Sequence, residues 1–107
     1  MELAQYQIVL VNLDPTLGSE IRKTRPCVIV SPDEMNRHLQ TLVIVPITST
    51  SRPYPTRIQI KQAKITGWIS VDQIRTIDKT RIVRIEGTIS GREIKLLKTI
   101  IRQTFVD

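Results

Sequence analysis

The sequence predicts an α+β chain that is mainly β: a small, strongly twisted sheet or partly open barrel with one long helix at its C-terminal end. Three observations point there. Ile, Val and Thr supply 38 of the 107 residues, and side chains branched at Cβ are stiff at χ1 and suit a pleated surface. Two runs, CVIVS and LVIVPIT, are continuously apolar, as strands covered on both faces are. Only the segment after Ser90 sustains a helical period.

The elements follow in order. A first strand is expected over Tyr6 to Asn12 and a second over Pro26 to Ser31. Asp14-Pro15 and Leu17-Gly18 supply turn chemistry between them. Ser31-Pro32-Asp33-Glu34 offers an N-cap serine, a proline at the first helical position and a glutamate placed for a capping box. Only a short helical turn fits before the third strand, Thr41 to Thr48. Pro53 and Pro55 cannot sit inside a sheet, so they belong to a loop or a strand entry. The fourth strand, Thr56 to Lys61, alternates: Ile58 and Ile60 face one way, Arg57, Gln59 and Lys61 the other. Trp68 to Val71 and Ile82 to Thr88 complete the strands. Ser90-Gly91-Arg92-Glu93 is a second capping box. In the helix it starts, Ile94, Leu97, Ile101 and Phe105 share a stripe with Ile100 beside it, which places Phe105 in the core. Arg92, Lys95, Lys98 and Arg102 lie on another face, which reads as solvated.

A chain of 107 residues supports one domain, residues 1–107, and is too short for two cores. No apolar run approaches the length of a membrane span. The N-terminus carries an acid where a signal peptide carries cations, so a cytoplasmic location is expected. The net charge of +6 is unevenly spread: residues 54–107 carry eleven cations and five anions, while in residues 1–53 the two signs cancel. A basic surface suits nucleic acid or an acidic protein.

Cys27 is the one cysteine and His38 the one histidine. Cys27 lies in an apolar strand and is expected to be a buried small hydrophobe. His38 falls in the polar MNRHLQ connection and reads as a surface residue. Neither HxxxH nor CxxC occurs, so no metal site and no cofactor are expected. Phosphate-binding glycine loops are also missing from the sequence. What remains is a set of polar residues at the ends of the two most apolar strands. Arg25 precedes CVIVS, and Thr48-Ser49-Thr50-Ser51 ends LVIVPI. A guanidinium and several hydroxyls on rigid strand ends would pre-organise an anion site, because arginine presents a planar fork matched to phosphate. A solvated cation and a polar turn account for the same residues without chemistry.

Four blocks occur here in one order: DPTLGSE (14–20), TRPCVIVSP (24–32) with Asn36, VPITS (45–49) and DQIRTIDKTRI (72–82). Together they resemble the MazF/PemK family, the toxin components of bacterial toxin–antitoxin pairs. The resemblance implies a small SH3-like barrel of the CcdB/PemK type with a C-terminal helix, working as a homodimer. It implies a sequence-selective, metal-independent endoribonuclease acting on single-stranded RNA, held in check by a cognate antitoxin with an acidic tail. Arg25 and Thr48 match the pair the family uses at the scissile phosphate, and Glu20 matches a further residue implicated in some members. Asp72 matches a carboxylate proposed as acid or base in one branch. Gln73 and Arg75, together with Ser49 and Ser51, are candidates for RNA contact. Where members commonly read GSEQ and small residues before RP, this chain has Ile21, Arg22 and Lys23. Arg22 and Lys23 add phosphate affinity and are candidates for an RNA preference of its own.

In such a cleavage the substrate's 2′-OH attacks the adjacent phosphorus, leaving a 2′,3′-cyclic phosphate and a 5′-OH. Arg25 suits stabilisation of the phosphorane, since a guanidinium stays charged at neutral pH and is a poor proton donor. Thr48 suits orientation of the phosphate or the 2′-OH. Glu20, Asp72 or water remain open as the base. Two other readings stay alongside: a non-catalytic toxin of this fold that poisons a protein such as gyrase, and a plain basic barrel that binds nucleic acid. The few aromatics, Tyr6, Tyr54, Trp68 and Phe105, count against a stacking surface.

Overall fold

The third strand organises the molecule. In the computed structural model, which describes residues 2–13, 24–62 and 64–107, the strands are β1 (Gln7–Asn12), β2 (Thr24–Ile29), β3 (Thr41–Thr48), β4 (Arg57–Lys61), β5 (Thr66–Ser70), β6 (Arg75–Asp78) and β7 (Ile82–Thr88). They form one antiparallel sheet in the order β4-β5-β3-β2-β1-β7, with β6 also paired to β3. β3 therefore serves three partners. Its first half holds β6, its middle holds β2, and Ile47 and Thr48 hold β5. This agrees with the mainly β class with a C-terminal helix, as a curled sheet in which β4, β6 and β7 each have a single partner strand among the described residues.

Strand alternation sorts the side chains into two clusters. On one face Ile8, Val28, Val45, Ile47, Ile58, Ile60, Ile69 and Val71 are buried together with Ile89 and Leu97. Leu97 belongs to helix α2 (Gly91–Ile101), whose Ile94, Ile100 and Ile101 pack on the same cluster. On the other face Val9, Val11, Cys27, Ile29, Leu42, Ile44, Ile77 and Ile82 form a second cluster, joined by Leu3 and Leu13. Neither helix among the described residues contributes to it; alternate residues of β1, β2, β3, β6 and β7 pack against one another.

Helix α2 starts as its sequence requires. Ser90 Oγ accepts from Glu93 N–H at 3.2 Å, and the buried Glu93 carboxylate accepts from Ser90 N–H at 2.8 Å. The expected cap at Ser31 is not made. Helix α1 (Asp33–His38) has Pro32 at its N-cap, with no side-chain cap bond. Ser31 Oγ instead accepts from Val43 N–H at 3.0 Å and donates to Asn36 Oδ1, while Asn36 Nδ2 donates back to Ser31 O at 2.9 Å. The serine serves the sheet because β3 runs alongside it. Phe105 also departs from expectation and is 52% exposed. After Ile101 the helix widens into a π-type turn over Arg102–Val106. Bonds such as Asp107 N–H to Arg102 O break the 3.6-residue period that aligned Phe105 with Leu97.

Two strand limits matter for the site. β2 begins at Thr24, so Arg25 lies within the strand instead of before it, and half-buried Pro26 sits opposite Leu10. β6 was not foreseen from the sequence; it brings Arg75 opposite Ile44.

Candidate functional site

Register puts Arg25 and Thr48 on one side of the sheet. β2 pairs with β3 as Cys27 with Pro46, Val28 with Val45 and Ile29 with Ile44. Carried two residues further within both strands, the same register sets Arg25 opposite Thr48. Facing residues of an antiparallel pair project to the same side. Here that side is the one carrying Cys27 and Ile29, away from helix α2. Thr48 is itself paired with Trp68, and Trp68 with Gln59. The result is a row across four strands: Arg25, Thr48, Trp68, Gln59. Arg25 and Gln59 are exposed, Thr48 and Trp68 half-buried.

The Thr48 hydroxyl is held locally. It lies 3.4 Å from Trp68 O, to which it donates, and 3.2 Å from the hydroxyl of buried Ser70, which in turn donates to Trp68 O at 3.3 Å. These long contacts orient the side chain and leave it able to turn its proton to a ligand. β5 reaches β3 this closely because residue 67 is glycine. Gly67 has φ +152°, and a Cβ there would stand 2.4 Å from Thr48 O. The sequence pattern alone gave no reason to single out Gly67, since the close approach is a property of the pairing.

Arg75, on β6, faces the same side as Arg25, because Ile77 two residues on belongs to the second cluster. Its row lies four residues along β3 from that of Thr48, roughly 13 Å. Both guanidiniums act on Cys27, whose thiol is nevertheless pushed up to about 12 by burial, the larger effect. Cys27 is buried, as expected from its apolar surroundings, and its sulfur hydrogen is directed to Arg25 O at 3.5 Å.

Asp72 is placed differently from the role of acid or base considered for it. Arg57 donates to it through Nε at 2.8 Å and Nη2 at 3.0 Å, and Thr56 Oγ1 donates at 2.8 Å. The Arg57 hydrogen bond, helped by Thr56 and opposed by burial, brings its carboxyl down to about 2. A carboxylate so held carries no proton at neutral pH and is a weak base. Arg57 also donates to Ser51 Oγ at 3.0 Å and lies 5.7 Å from the centre of the Tyr54 ring. Asp72 thus ties the loop before β4 to the turn after β5. Ser51 belongs to that tie, whereas Ser49 and Gln73 are exposed. The sequence reading missed Arg57 because strand alternation marked it as merely solvent-facing.

Glu20, Arg22 and Lys23 lie outside the described residues. Among the described residues no three His, Cys, Asp or Glu side chains converge as a metal would require, and no helix is long and apolar enough to cross a membrane.

A model of the PemK-like, MazF-like toxin family of type II toxin–antitoxin systems matches residues 4–105. The chain belongs to that family. It is 34% identical over 110 residues to an endoribonuclease PemK of Escherichia coli, a match covering 94% of this chain and 83% of the relative. Its fold is that of a mycobacterial endoribonuclease solved with its cognate antitoxin, with TM-score 0.81, 24% identity, and coverage of 94% of this chain and 92% of the other. MazF of Deinococcus radiodurans superimposes with TM-score 0.82 at 19% identity, covering 96% of each chain.

Proposed function

We propose that this chain is an endoribonuclease toxin that cleaves single-stranded RNA in a sequence-selective, metal-independent way. The observation that carries the reading is the β2–β3 register, which, carried two residues past Cys27 and Pro46, sets Arg25 and Thr48 on the same side of the sheet, in a chain whose relatives include endoribonuclease PemK. The scissile phosphate sits between the two side chains. The 2′ oxygen of the substrate attacks phosphorus, the bond from phosphorus to the 5′ oxygen breaks, and the 2′ proton is taken up as another is delivered to the leaving oxygen. Arg25 balances the charge that grows on the phosphorane, and Thr48 orients the phosphate or the attacking hydroxyl. Arg75, further along, meets a different phosphate. Asp72, held ionised by Arg57, serves as a strut and not as the proton donor. Glu20 and water remain as bases.

The whole chain acts as one toxin unit in the cytoplasm, as a homodimer, and a cognate antitoxin with an acidic segment silences it by covering this basic face. Purified protein is expected to cut single-stranded RNA in excess EDTA, leaving 2′,3′-cyclic phosphate and 5′-OH ends. One 2′-deoxy sugar at the mapped cut is expected to block it. Cleavage of that deoxy-substituted strand would sink the mechanism. Salt-dependent binding with no cleavage would favour a plain basic barrel that binds nucleic acid, and neither binding nor cleavage a non-catalytic toxin that poisons a protein.

A further inference from the structure

Tryptophan is the largest apolar side chain, and in a small protein it is ordinarily an anchor of the core. The single tryptophan of this chain is not used that way. Trp68 belongs to neither hydrophobic cluster. Its neighbours Gly67 and Ile69 are buried, while Trp68 is half-buried on the opposite, open side of β5. There it stands between Thr48 and Gln59 in the cross-strand row. Facing residues on adjacent strands have Cα atoms about 5 Å apart, so the indole borders the hydroxyl that contacts the scissile phosphate. The outward face of β4 beside it carries only polar side chains, Arg57, Gln59 and Lys61. No apolar neighbour on that strand is offered to the ring.

We propose that Trp68 is a stacking platform for the RNA base next to the scissile phosphate, and that Gln59 hydrogen-bonds the edge of that base. The inference rests on the endoribonuclease reading and makes Trp68 and Gln59 the residues that set the preference beside the cut. A ring face accepts any base, so stacking supplies affinity. An amide offers both a donor pair and an acceptor, so Gln59 supplies selection.

Because Trp68 is the only tryptophan, intrinsic indole emission of the unaltered protein reports on this one position. The probe is a short RNA carrying a mapped cut site, made uncleavable by a single 2′-deoxy sugar, alongside versions abasic at each nucleotide flanking the cut. Binding is followed both by indole emission and by anisotropy of a dye at the RNA end. The intact probe is expected to change the emission saturably. One abasic version is expected to bind roughly tenfold or more weakly and to leave the emission unchanged. Trp68→Leu should raise KM for the cleavable RNA by a similar factor with a smaller effect on kcat, and Trp68→Phe should recover most of it. Gln59→Ala should broaden the base preference at the flanking position while the emission change persists. Saturable anisotropy without any change in emission, or equal affinity for all abasic versions, would overturn the stacking. A cut pattern unchanged in Gln59→Ala would overturn the selection. RNA that is neither cut nor bound would instead remove the endoribonuclease reading on which both depend.

Discussion

The two faces of β3 and β5 are built from alternate residues of the same few strands and serve opposite ends. Val45, Ile47 and Ile69 point under helix α2 and are buried. Thr48 and Trp68 point the other way and remain partly open. The helix-covered cluster on one side, and the second cluster that includes Cys27, Ile29 and Ile44 on the other, fix the backbone from both faces. Beyond the end of that second cluster Thr48 and Trp68 hold their positions on strands that burial has already made rigid.

The contrast can be broken first from the covered side. Leu97→Ala removes a fully buried side chain from the helix-covered cluster and should cost about 2–5 kcal/mol. Urea denaturation measures it, and cleavage by the remaining folded protein should stay near normal. Arg25→Ala is the converse. It should lose roughly 3 kcal/mol of transition-state stabilisation, read from kcat/KM, while its urea midpoint scarcely moves because the side chain is exposed. A near-native rate would return Arg25 to the status of a solvated cation.

Gly67→Ala attacks the seam between the faces. The positive φ and the clash an added Cβ would make with Thr48 O should together cost about 2 kcal/mol or more in stability. Because the displaced strand end carries Thr48, kcat should fall as well, which distinguishes this variant from Leu97→Ala.

Smaller effects sharpen the picture at the rim. The Asp72 carboxyl is lowered to about 2 from its ordinary value, so its contribution to stability is complete above about pH 4 and is lost as pH falls towards 2. The pair is partly exposed, and after allowance for solvent screening it is worth about 1 kcal/mol. Asp72→Asn should therefore lower the urea midpoint at pH 7, and the gap to the parent should close in acid. If Asp72 were instead the catalytic base, the acid limb of the rate profile would vanish in this variant. Smallest of all, the Cys27 thiol, raised to about 12 by burial, should resist thiol reagents in the native protein at pH 8 and react once urea unfolds it.

The sequence carried the strands and helix well wherever one period dominated. Thr41–Thr48 and Ile82–Thr88 were legible to the residue, and the Ser90–Glu93 box marked the start of α2. β6 was missed because RTID has no apolar run; it is a strand only because β3 offers it an edge. The start of β2 was set at Pro26, two residues late, because Arg25 read as the end of a basic loop; β1 pairs with Thr24 and Arg25 all the same. The site was legible in part. The resemblance supplied Arg25 and Thr48, and strand register explains their facing, but the partnership of Asp72 with Arg57 joins residues that no local pattern connects. Which side of β5 holds Trp68 was likewise not legible from local pattern. Counting aromatics says nothing about which side of a strand holds them.

The sharing of β3 among three strands bears on how such a protein is switched off. An amide in the middle of β3 can exchange its hydrogen only when β2, β5 or β6 also parts from it, so its opening is tied to unfolding at large. The site cannot then be disarmed by loosening its own scaffold while the rest of the chain stays intact. Silencing it requires occupancy, a binder that sits on the open face, and the strength of that silencing is set by the binder's concentration and residence time.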